Sequence, residues 1–239
     1  MGKLIRIGTR QSRLAVIQAE LVAAAIKKYH PEINVTLVGI KTTGDKILDK
    51  TLDKIGGKGL FVKELDHALR NGDVDICVHS YKDMPAEDNP ELPVIAVSPR
   101  EDPRDVLILP KGIAAIDPAK PVGCCSRRRQ VQFAEIYPGI DIQPVRGNVL
   151  TRLEKLDEGE FSALILAAAG IKRLGLWERV SRVFDITEIT PAVCQGILAV
   201  QGRAGEDYSY ISKYSDADGW DASLAERAFI ASYKIKAKG

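Results

Sequence analysis

The first forty residues place an amphipathic stretch between two short apolar runs. Residues 4–7 alternate as a half-buried strand does, and residues 35–40 are rich in β-branched side chains. The stretch between them carries apolar residues at helical spacing, namely Leu14, Ile17, Leu21 and Ala24. Thr9 or Ser12 can cap that helix. The strand–helix–strand order predicts a parallel sheet.

This alternation of strands and helices continues along the chain. Further strands are predicted near residues 74–78, 94–97, 106–109, 121–123, 140–144, 163–166 and 197–200. Further helices are predicted near residues 62–69, 126–137, 149–158, 168–174 and 222–238. The pattern is typical of an α/β fold.

Two stretches interrupt the alternation and mark domain boundaries. Residues 98–105 are charged and contain two prolines, which favours a hinge. Residues 190–196 are a second crossing, because the strand after them can return to the first sheet. We therefore predict a first lobe of residues 1–99 and 196–216, a second lobe of residues 100–195, and a closing helical segment of residues 217–239.

The composition restricts the classes of protein to which the chain can belong. The 239 residues are 45% hydrophobic and 28% charged, which is typical of a globular protein. A net charge of +2 is too small for a bulk binder of nucleic acid, so any basic site is local. No apolar run approaches the ~18 residues that span a membrane. The histidines and cysteines show no ligand or disulfide spacing, which predicts a reduced cytoplasmic protein without a metal site.

Residues 41–60 lack hydrophobic periodicity and are rich in Gly, Lys and Asp. A loop of this length inside a compact domain is usually functional or mobile. Its glycine-rich residues 56–59 do not form a P-loop, which needs Gly-x-x-x-x-Gly-Lys followed by Ser or Thr. We interpret the glycine-rich segment as a flexible lid, with Lys54 and Lys58 as candidate contacts for an anion.

Arginine follows three of the predicted strands, at the point where each strand ends. Arg10 follows the first strand, residues 127–129 are all arginine, and Arg146 and Arg152 flank another helix start. The carboxyl ends of strands are where α/β proteins bind ligands, and arginine suits bidentate carboxylate recognition. These arginines predict a site for a small ligand with several carboxylates or phosphates. Three alternatives stay open: separate surface ion pairs or, for residues 127–129, a solvated basic helix face or a nucleic-acid contact.

One acidic residue stands in this basic context. The strand at residues 74–78 leads into His79, Ser80, Tyr81, Lys82 and Asp83. A fixed carboxylate among arginines can stabilise a developing cation or transfer a proton. The alternative is a structural role, either as a surface pair with the neighbouring lysine or as a cap of the turn that follows.

Together these segments resemble the porphobilinogen deaminase family, also called hydroxymethylbilane synthase. The matching segments are residues 8–12, 56–65, 79–85, 100–105, 146–149 and 166–175. The resemblance implies two lobes like those of periplasmic binding proteins and a third, smaller α/β domain. It implies a monomeric transferase of tetrapyrrole (haem and porphyrin) biosynthesis that joins four porphobilinogen molecules into hydroxymethylbilane and releases ammonia. Neither nucleic acid nor a membrane is an expected partner.

The resemblance also assigns roles to individual residues. Asp83 would be the catalytic carboxylate, facing pyrrole N–H groups. A covalent dipyrromethane cofactor would carry the growing pyrrole chain. The residues implied to bind its acetate and propionate groups, or to surround them, are Arg10, Ser12, Lys82, Ser126, Arg128, Arg129, Arg146, Arg152, Arg173 and Gln195.

The sequence departs from the family pattern at two places. Cys124 and Cys125 stand where the family has Thr and Ser, and thiols donate weaker hydrogen bonds than hydroxyls. The final helix is not followed by the family's Gly-Gly-Cys segment, whose cysteine attaches dipyrromethane through a thioether. We therefore expect this helix to be a remnant of a missing third domain, with the attachment cysteine absent. The alternative function is a non-catalytic, two-lobed binder of a polycarboxylate ligand.

Overall fold

The structure, a computed structural model, describes residues 3–46 and 62–236. Most of the loop predicted at residues 41–60, including Lys54 and Lys58, lies outside the described residues. Contacts among the described residues define two compact units, each with its own sheet.

The first unit comprises residues 3–46, 62–101 and 193–236, and the second comprises residues 102–192. In chain order the described strands are β1 (Leu4–Arg10), β2 (Asn34–Ile40), β3 (Ile76–Ser80), β4 (Val94–Val97), β5 (Asp105–Ile108), β6 (Val122–Gly123), β7 (Ile142–Gln143), β8 (Ala163–Ala167), β9 (Arg182–Val183) and β10 (Leu198–Gln201). The described helices are α1 (Arg13–Tyr29), α2 (Thr43–Lys46), α3 (Lys63–Arg70), α4 (Arg127–Ile136), α5 (Val149–Asp157), α6 (Ala168–Arg173) and α7 (Ala217–Lys236).

The sheet of the first unit is mixed. β1 lies parallel to β2 and to β3, with Ile7 opposite Ile76. β10 runs antiparallel to β3 and β4, which gives the order β2-β1-β3-β10-β4. The prediction of a parallel sheet is wrong for β10. The chain re-enters this unit where β3 ends, with Leu198 opposite Ser80, and an antiparallel neighbour needs no crossover from that edge.

Helix α1 packs on this sheet through a face that differs from the predicted one. Its buried side chains include Ala15, Ala19, Val22 and Ile26, whereas Leu21 is 46% exposed. The predicted apolar stripe is therefore wrong. The two alanines let the helix backbone approach the sheet closely, so the face with the smaller side chains is buried and the leucine remains outside.

The second unit is built on a second mixed sheet, in the order β7-β6-β8-β5-β9. β6 is parallel to β7 and β8, and β5 is antiparallel to β8. Phe133 and Phe184 are fully buried in its core, with ring centroids 6.1 Å apart. This core is separate from the core of the first unit, which contains Ile5, Ile7 and Ile76.

Helix α7 begins at Ala217, earlier than the predicted start at residue 222. Its Ser223 is fully buried, whereas Leu224 and Phe229 are 57% and 67% exposed. Within the part of the chain that the structure describes, no helix has the length and apolar content needed to cross a membrane.

Gly8 and Gly39 provide a matched test of packing in the first sheet. A Cβ at Gly8 would lie 2.7 Å from Cys77 Sγ, whereas a Cβ at Gly39 would first meet the flexible Gln11 side chain at 3.3 Å. We expect Gly8→Ala to lower the free energy of unfolding by about 1–3 kcal/mol, because β1 and β3 must move apart. Gly39→Ala is expected to be neutral or stabilising. Urea titration measures both, and equal effects would contradict the packing described here.

Candidate functional site

One edge of the first sheet gathers several of the predicted site residues. The carboxyl ends of the parallel strands β1, β2 and β3 lie at the same edge, and antiparallel β10 begins there. Arg10 and Ser12 stand at the end of β1, Lys82 and Asp83 follow β3, and Gln195 precedes β10. The topology therefore brings these five residues to one edge of one unit.

Asp83 is the last residue of a short 3₁₀ turn that continues directly from β3. Its side chain is exposed, and within residues 3–46 and 62–236 no hydrogen bond or ion pair engages its carboxylate. The neighbouring Lys82 Nζ instead donates to Gln195 Oε1 at 3.1 Å. The alternative of a surface Lys82–Asp83 pair is therefore wrong, and the carboxylate is accessible at the edge of the sheet.

The amino end of α1 is fixed at the same edge. Ser12 Oγ accepts the backbone N–H of Ala15 at 3.4 Å and so caps the helix, which selects Ser12 over Thr9 as the cap. Gln18 Nε2 donates to Ser80 Oγ at 2.8 Å, which ties α1 to the end of β3. The positive end of the helix dipole therefore lies beside Arg10, in a setting that favours anions.

The second unit has a corresponding edge, which is rich in arginine. Its parallel strands β6, β7 and β8 end there, and antiparallel β5 begins there. Ser126 precedes the first turn of α4, and Arg173 ends α6. The arginines from the strand ends are Arg128 and Arg129 on α4, Arg146 after β7, and Arg152 on α5.

A buried aspartate, which we did not predict, neutralises part of this charge. Asp105 is fully buried at the start of β5, and its oxygens lie 2.7 Å from Arg128 Nη1 and 2.7 Å from Arg129 Nη2. Arg129 also donates to the Ile165 carbonyl at 3.2 Å, and Arg128 to the Thr190 carbonyl. The arginines at positions 128 and 129 are thus held by the protein rather than lying on a solvated helix face.

Arg146 and Arg152 add positive charge beside this pair. Arg152 Nε donates to the Gly147 carbonyl at 2.8 Å. Burial lowers the pKa of the Arg152 guanidinium, and the like charges of Arg129 and Arg146 lower it further. The guanidinium groups of Arg129, Arg146 and Arg152 are therefore close enough for their like charges to interact at this edge.

The cysteines of the chain differ in exposure. Cys77, Cys124 and Cys194 are buried, whereas Cys125 is half-buried and its thiol donates to the Val145 carbonyl at 2.8 Å. Burial raises the pKa of Cys194 to about 11, so its thiol remains protonated near neutral pH. Over the described ranges, no group of three His, Cys, Asp or Glu residues could hold a metal ion.

The two units and their mixed sheets define a two-lobed α/β protein of the periplasmic-binding-protein type. The methionine binding protein MetQ shares this fold with a TM-score of 0.55 at 14% identity, covering 94% of this chain and 95% of that chain. The effector binding domain of BenM with its effector benzoate has a TM-score of 0.51 at 15% identity, covering 96% and 94%.

Sequence comparison identifies the family within this fold. The family described as "Porphobilinogen deaminase, dipyromethane cofactor binding domain" matches residues 5–210. Porphobilinogen deaminase of Acetivibrio thermocellus is 63% identical over 226 residues, which are 95% of this chain and 77% of that protein. Porphobilinogen deaminase of Alkaliphilus oremlandii is 61% identical over 226 residues, 95% of this chain and 76% of that protein. The chain belongs to the porphobilinogen deaminase family, whose members are transferases of tetrapyrrole biosynthesis, and the resemblance drawn from the motifs is confirmed.

We predict that replacing Asp105 strongly destabilises the second unit. We expect Asp105→Asn to lower the free energy of unfolding by about 3 kcal/mol, because the buried Arg129 and the half-buried Arg128 lose their shared, fully buried counter-charge. Asp157 is a suitable control, since it pairs with Lys111 and Arg179 but its side chain is 25% exposed. Asp157→Asn should cost less than about 1 kcal/mol. Thermal unfolding measures both, and a smaller loss for Asp105→Asn would refute the assignment.

Because His79 is buried, we predict that the stability of the first unit depends on pH. Burial lowers the pKa of His79 to about 4, and its ring contacts Gln201 Oε1 at 3.1 Å. Because the unfolded chain binds the proton more readily, stability is fully present above the unfolded pKa of about 6.5 and is lost as the pH falls to 4. The loss attributable to His79 is about 3 kcal/mol.

Two variants separate the contribution of His79 to the pH dependence of stability from the contribution of the carboxylates. Denaturant titrations of wild type and His79→Gln should converge as the pH falls from 7 to 4. The control His67→Gln should remain parallel to wild type, since His67 is exposed on α3. Parallel curves for His79→Gln would contradict a buried, neutral histidine.

Proposed function

We propose that this chain joins four porphobilinogen molecules into hydroxymethylbilane and releases one ammonia with each addition. The observation that supports this most directly is the exposed Asp83 carboxylate at the end of β3, beside Lys82 and Gln195. Membership of the porphobilinogen deaminase family supplies the reaction class and the pyrrole substrate.

The described residues fit a cofactor that carries several carboxylates. Arginine donates paired hydrogen bonds to a carboxylate, and Arg146 and Arg152 of the second unit lie close enough for their like charges to interact. An added carboxylate would offset that repulsion. We assign these two arginines, with Arg128, Arg129, Ser126 and Arg173 around them, to the acetate and propionate groups of dipyrromethane. Once bound, this cofactor would supply the covalent attachment point from which the pyrrole chain grows.

The first unit is assigned a second set of carboxylate-binding residues. They are Arg10, Ser12, Lys82 and Gln195. Arg10 and Lys82 supply positive charge at the sheet edge, and the capped amino end of α1 adds the positive end of a helix dipole. Gln195 orients the Lys82 ammonium through the 3.1 Å hydrogen bond. These groups hold the carboxylates of the substrate and so fix the orientation of its pyrrole ring.

Asp83 is assigned the electrostatic role in the reaction. When the amine leaves porphobilinogen, positive charge develops on the pyrrole ring. A carboxylate that accepts a hydrogen bond from the pyrrole N–H stabilises that charge, and more strongly in the transition state than in the ground state. Asp83 suits this role because its carboxylate is exposed and Lys82 is turned toward Gln195.

A second candidate is a binder that holds a polycarboxylate ligand without turnover. The observation that favours it concerns the thiols: Cys77, Cys124 and Cys194 are at most 1% exposed, so none is accessible for a thioether to the cofactor. Cys124 and Cys125 both lie near the arginines of the second unit, and of these two only Cys125 is half-buried rather than buried. Binding alone would use the same arginines but would not require Asp83.

Asp83→Asn distinguishes an enzyme from a binder. The substitution removes the charge at an exposed position, so we expect porphobilinogen consumption to fall by about 100-fold or more while the melting temperature stays unchanged. Asp73→Asn is the matched control, because Asp73 is exposed in the same unit before the start of β3, at the opposite edge. Near wild-type consumption by Asp83→Asn would reject the catalytic assignment.

The intact mass of the purified chain provides the complementary readout. Covalent dipyrromethane would add about 420 Da to the sequence mass, a shift that mass spectrometry resolves. An unmodified mass together with absent porphobilinogen consumption would favour the binder. Consumption of porphobilinogen with formation of hydroxymethylbilane would exclude it.

A further inference from the structure

Helix α7 contributes a buried arginine to the turn that carries Asp83. Arg227 Nη2 donates to the carbonyl of Pro85 at 3.0 Å and to the carbonyl of Ala86 at 3.2 Å. The same nitrogen lies 2.7 Å from Asp88 Oδ1. The Arg227 side chain is only 11% exposed, although it lies on a helix whose outer face is open. Its guanidinium therefore holds the chain just after Asp83.

The same guanidinium contacts the residue at the other end of the turn. Its central carbon lies 4.9 Å from the centroid of the Tyr81 ring, a distance typical of a cation–π contact. Tyr81 is 3% exposed, and its backbone N–H donates to the Ile197 carbonyl at 3.0 Å. Met84 N–H donates back to the Tyr81 carbonyl at 3.1 Å, which closes the turn. Arg227 thus contacts the chain on both sides of Asp83.

The preceding residue of α7 secures the partner of Lys82. Glu226 accepts the backbone N–H of Cys194 at 2.6 Å and pairs with Arg100 at 2.7 Å. Cys194 has a φ of 58°, a backbone conformation that side-chain-bearing residues rarely adopt. The contact with Glu226 therefore helps hold a strained residue whose neighbour, Gln195, accepts the Lys82 hydrogen bond.

We propose that Arg227 is a positioning residue for Asp83: through the Pro85 and Ala86 carbonyls and the Tyr81 ring it fixes the turn that presents the carboxylate to the substrate. The inference deepens the proposed function, on which it rests for the role of Asp83. A guanidinium suits this task because one of its terminal NH₂ groups can donate to two carbonyls while its planar face lies against a ring. Asp88 contributes little to holding Arg227 in place. Its side chain is 80% exposed, so solvent screens the Arg227–Asp88 ion pair.

The proposal predicts a loss in kcat rather than in KM. In Arg227→Met, the apolar stem keeps part of the packing but the donors are lost, so the Asp83 carboxylate is no longer held in one orientation. We expect kcat for porphobilinogen to fall by about 10- to 100-fold with KM changed by less than about twofold, because the groups that bind the substrate carboxylates remain. Leu224→Ala, an exposed position on the same helix, should match wild type.

A double-mutant cycle separates positioning from general destabilisation. In the Asp83→Asn background there is no carboxylate to position, so adding Arg227→Met should lower the residual kcat by less than about twofold. Arg227→Lys keeps the charge but not the planar fork, and it should give an intermediate kcat. Equal losses of kcat in the wild-type and Asp83→Asn backgrounds would overturn the proposal.

Hydrogen exchange tests the same inference without reference to turnover. Arg227→Met should speed exchange of the Tyr81 and Met84 amides, whereas amides in the centre of β1 should be unaffected. Unchanged exchange at these two amides would overturn the positioning role. If wild type fails to consume porphobilinogen while exchange responds as expected, the proposed function fails and the structural role of Arg227 stands.

Discussion

Repulsion among the arginines at the edge of the second sheet is the constraint on which the proposed anion site depends. A folded protein normally disperses its charge, because burying guanidinium groups together costs stability. In the second unit, Asp105 offsets that cost by pairing with Arg128 and Arg129. Burial is the main reason that the pKa of Arg152 is lowered, and the like charges of Arg129 and Arg146 lower it further. We propose that an anionic ligand offsets the repulsion that remains among the arginines at this edge.

The first unit has a different balance of charge. Its edge presents Arg10 and Lys82 together with one exposed carboxylate, Asp83, on a turn secured from α7. Groups that bind anions hold a substrate by its side chains, whereas a lone carboxylate acts on the ring that becomes positive. The proposed roles follow from this arrangement: arginine and lysine bind the carboxylates of the substrate, and Asp83 stabilises the positive charge that develops on its ring.

Much of the fold could be predicted because its elements have clear local signals. The bounds of β4 match the predicted residues 94–97, and α5 begins at Val149 as predicted, with Asn148 as its cap. The direction of β10 could not be predicted, since periodicity carries no information about where a chain re-enters a sheet. The packing face of α1 was missed because alanine weighs little in a hydrophobic pattern, although its small size allows close packing.

The candidate site was predictable only in part, because local motifs do not reveal contacts between residues that are distant in sequence. Motifs identified Asp83 and the arginines, which lie next to strand ends along the sequence. Asp105 and Arg227 act on residues far away in sequence, and their positions carry no local pattern. Asp105 stood within the charged stretch interpreted as a hinge, and Arg227 stood on a helix interpreted as a remnant. Only the pairing of β5 with β8 and the packing of α7 reveal their partners.

The central claim is that carboxylate recognition by clustered arginines underlies ligand binding in this chain. Isothermal titration calorimetry with porphobilinogen and with its dimethyl ester, at the same ionic strength, tests it most directly. If guanidinium groups bind both carboxylates, esterification should weaken binding by at least about 100-fold, since each charge-assisted hydrogen bond contributes about 1.5–3 kcal/mol. Equal affinity for the acid and the ester would contradict the account.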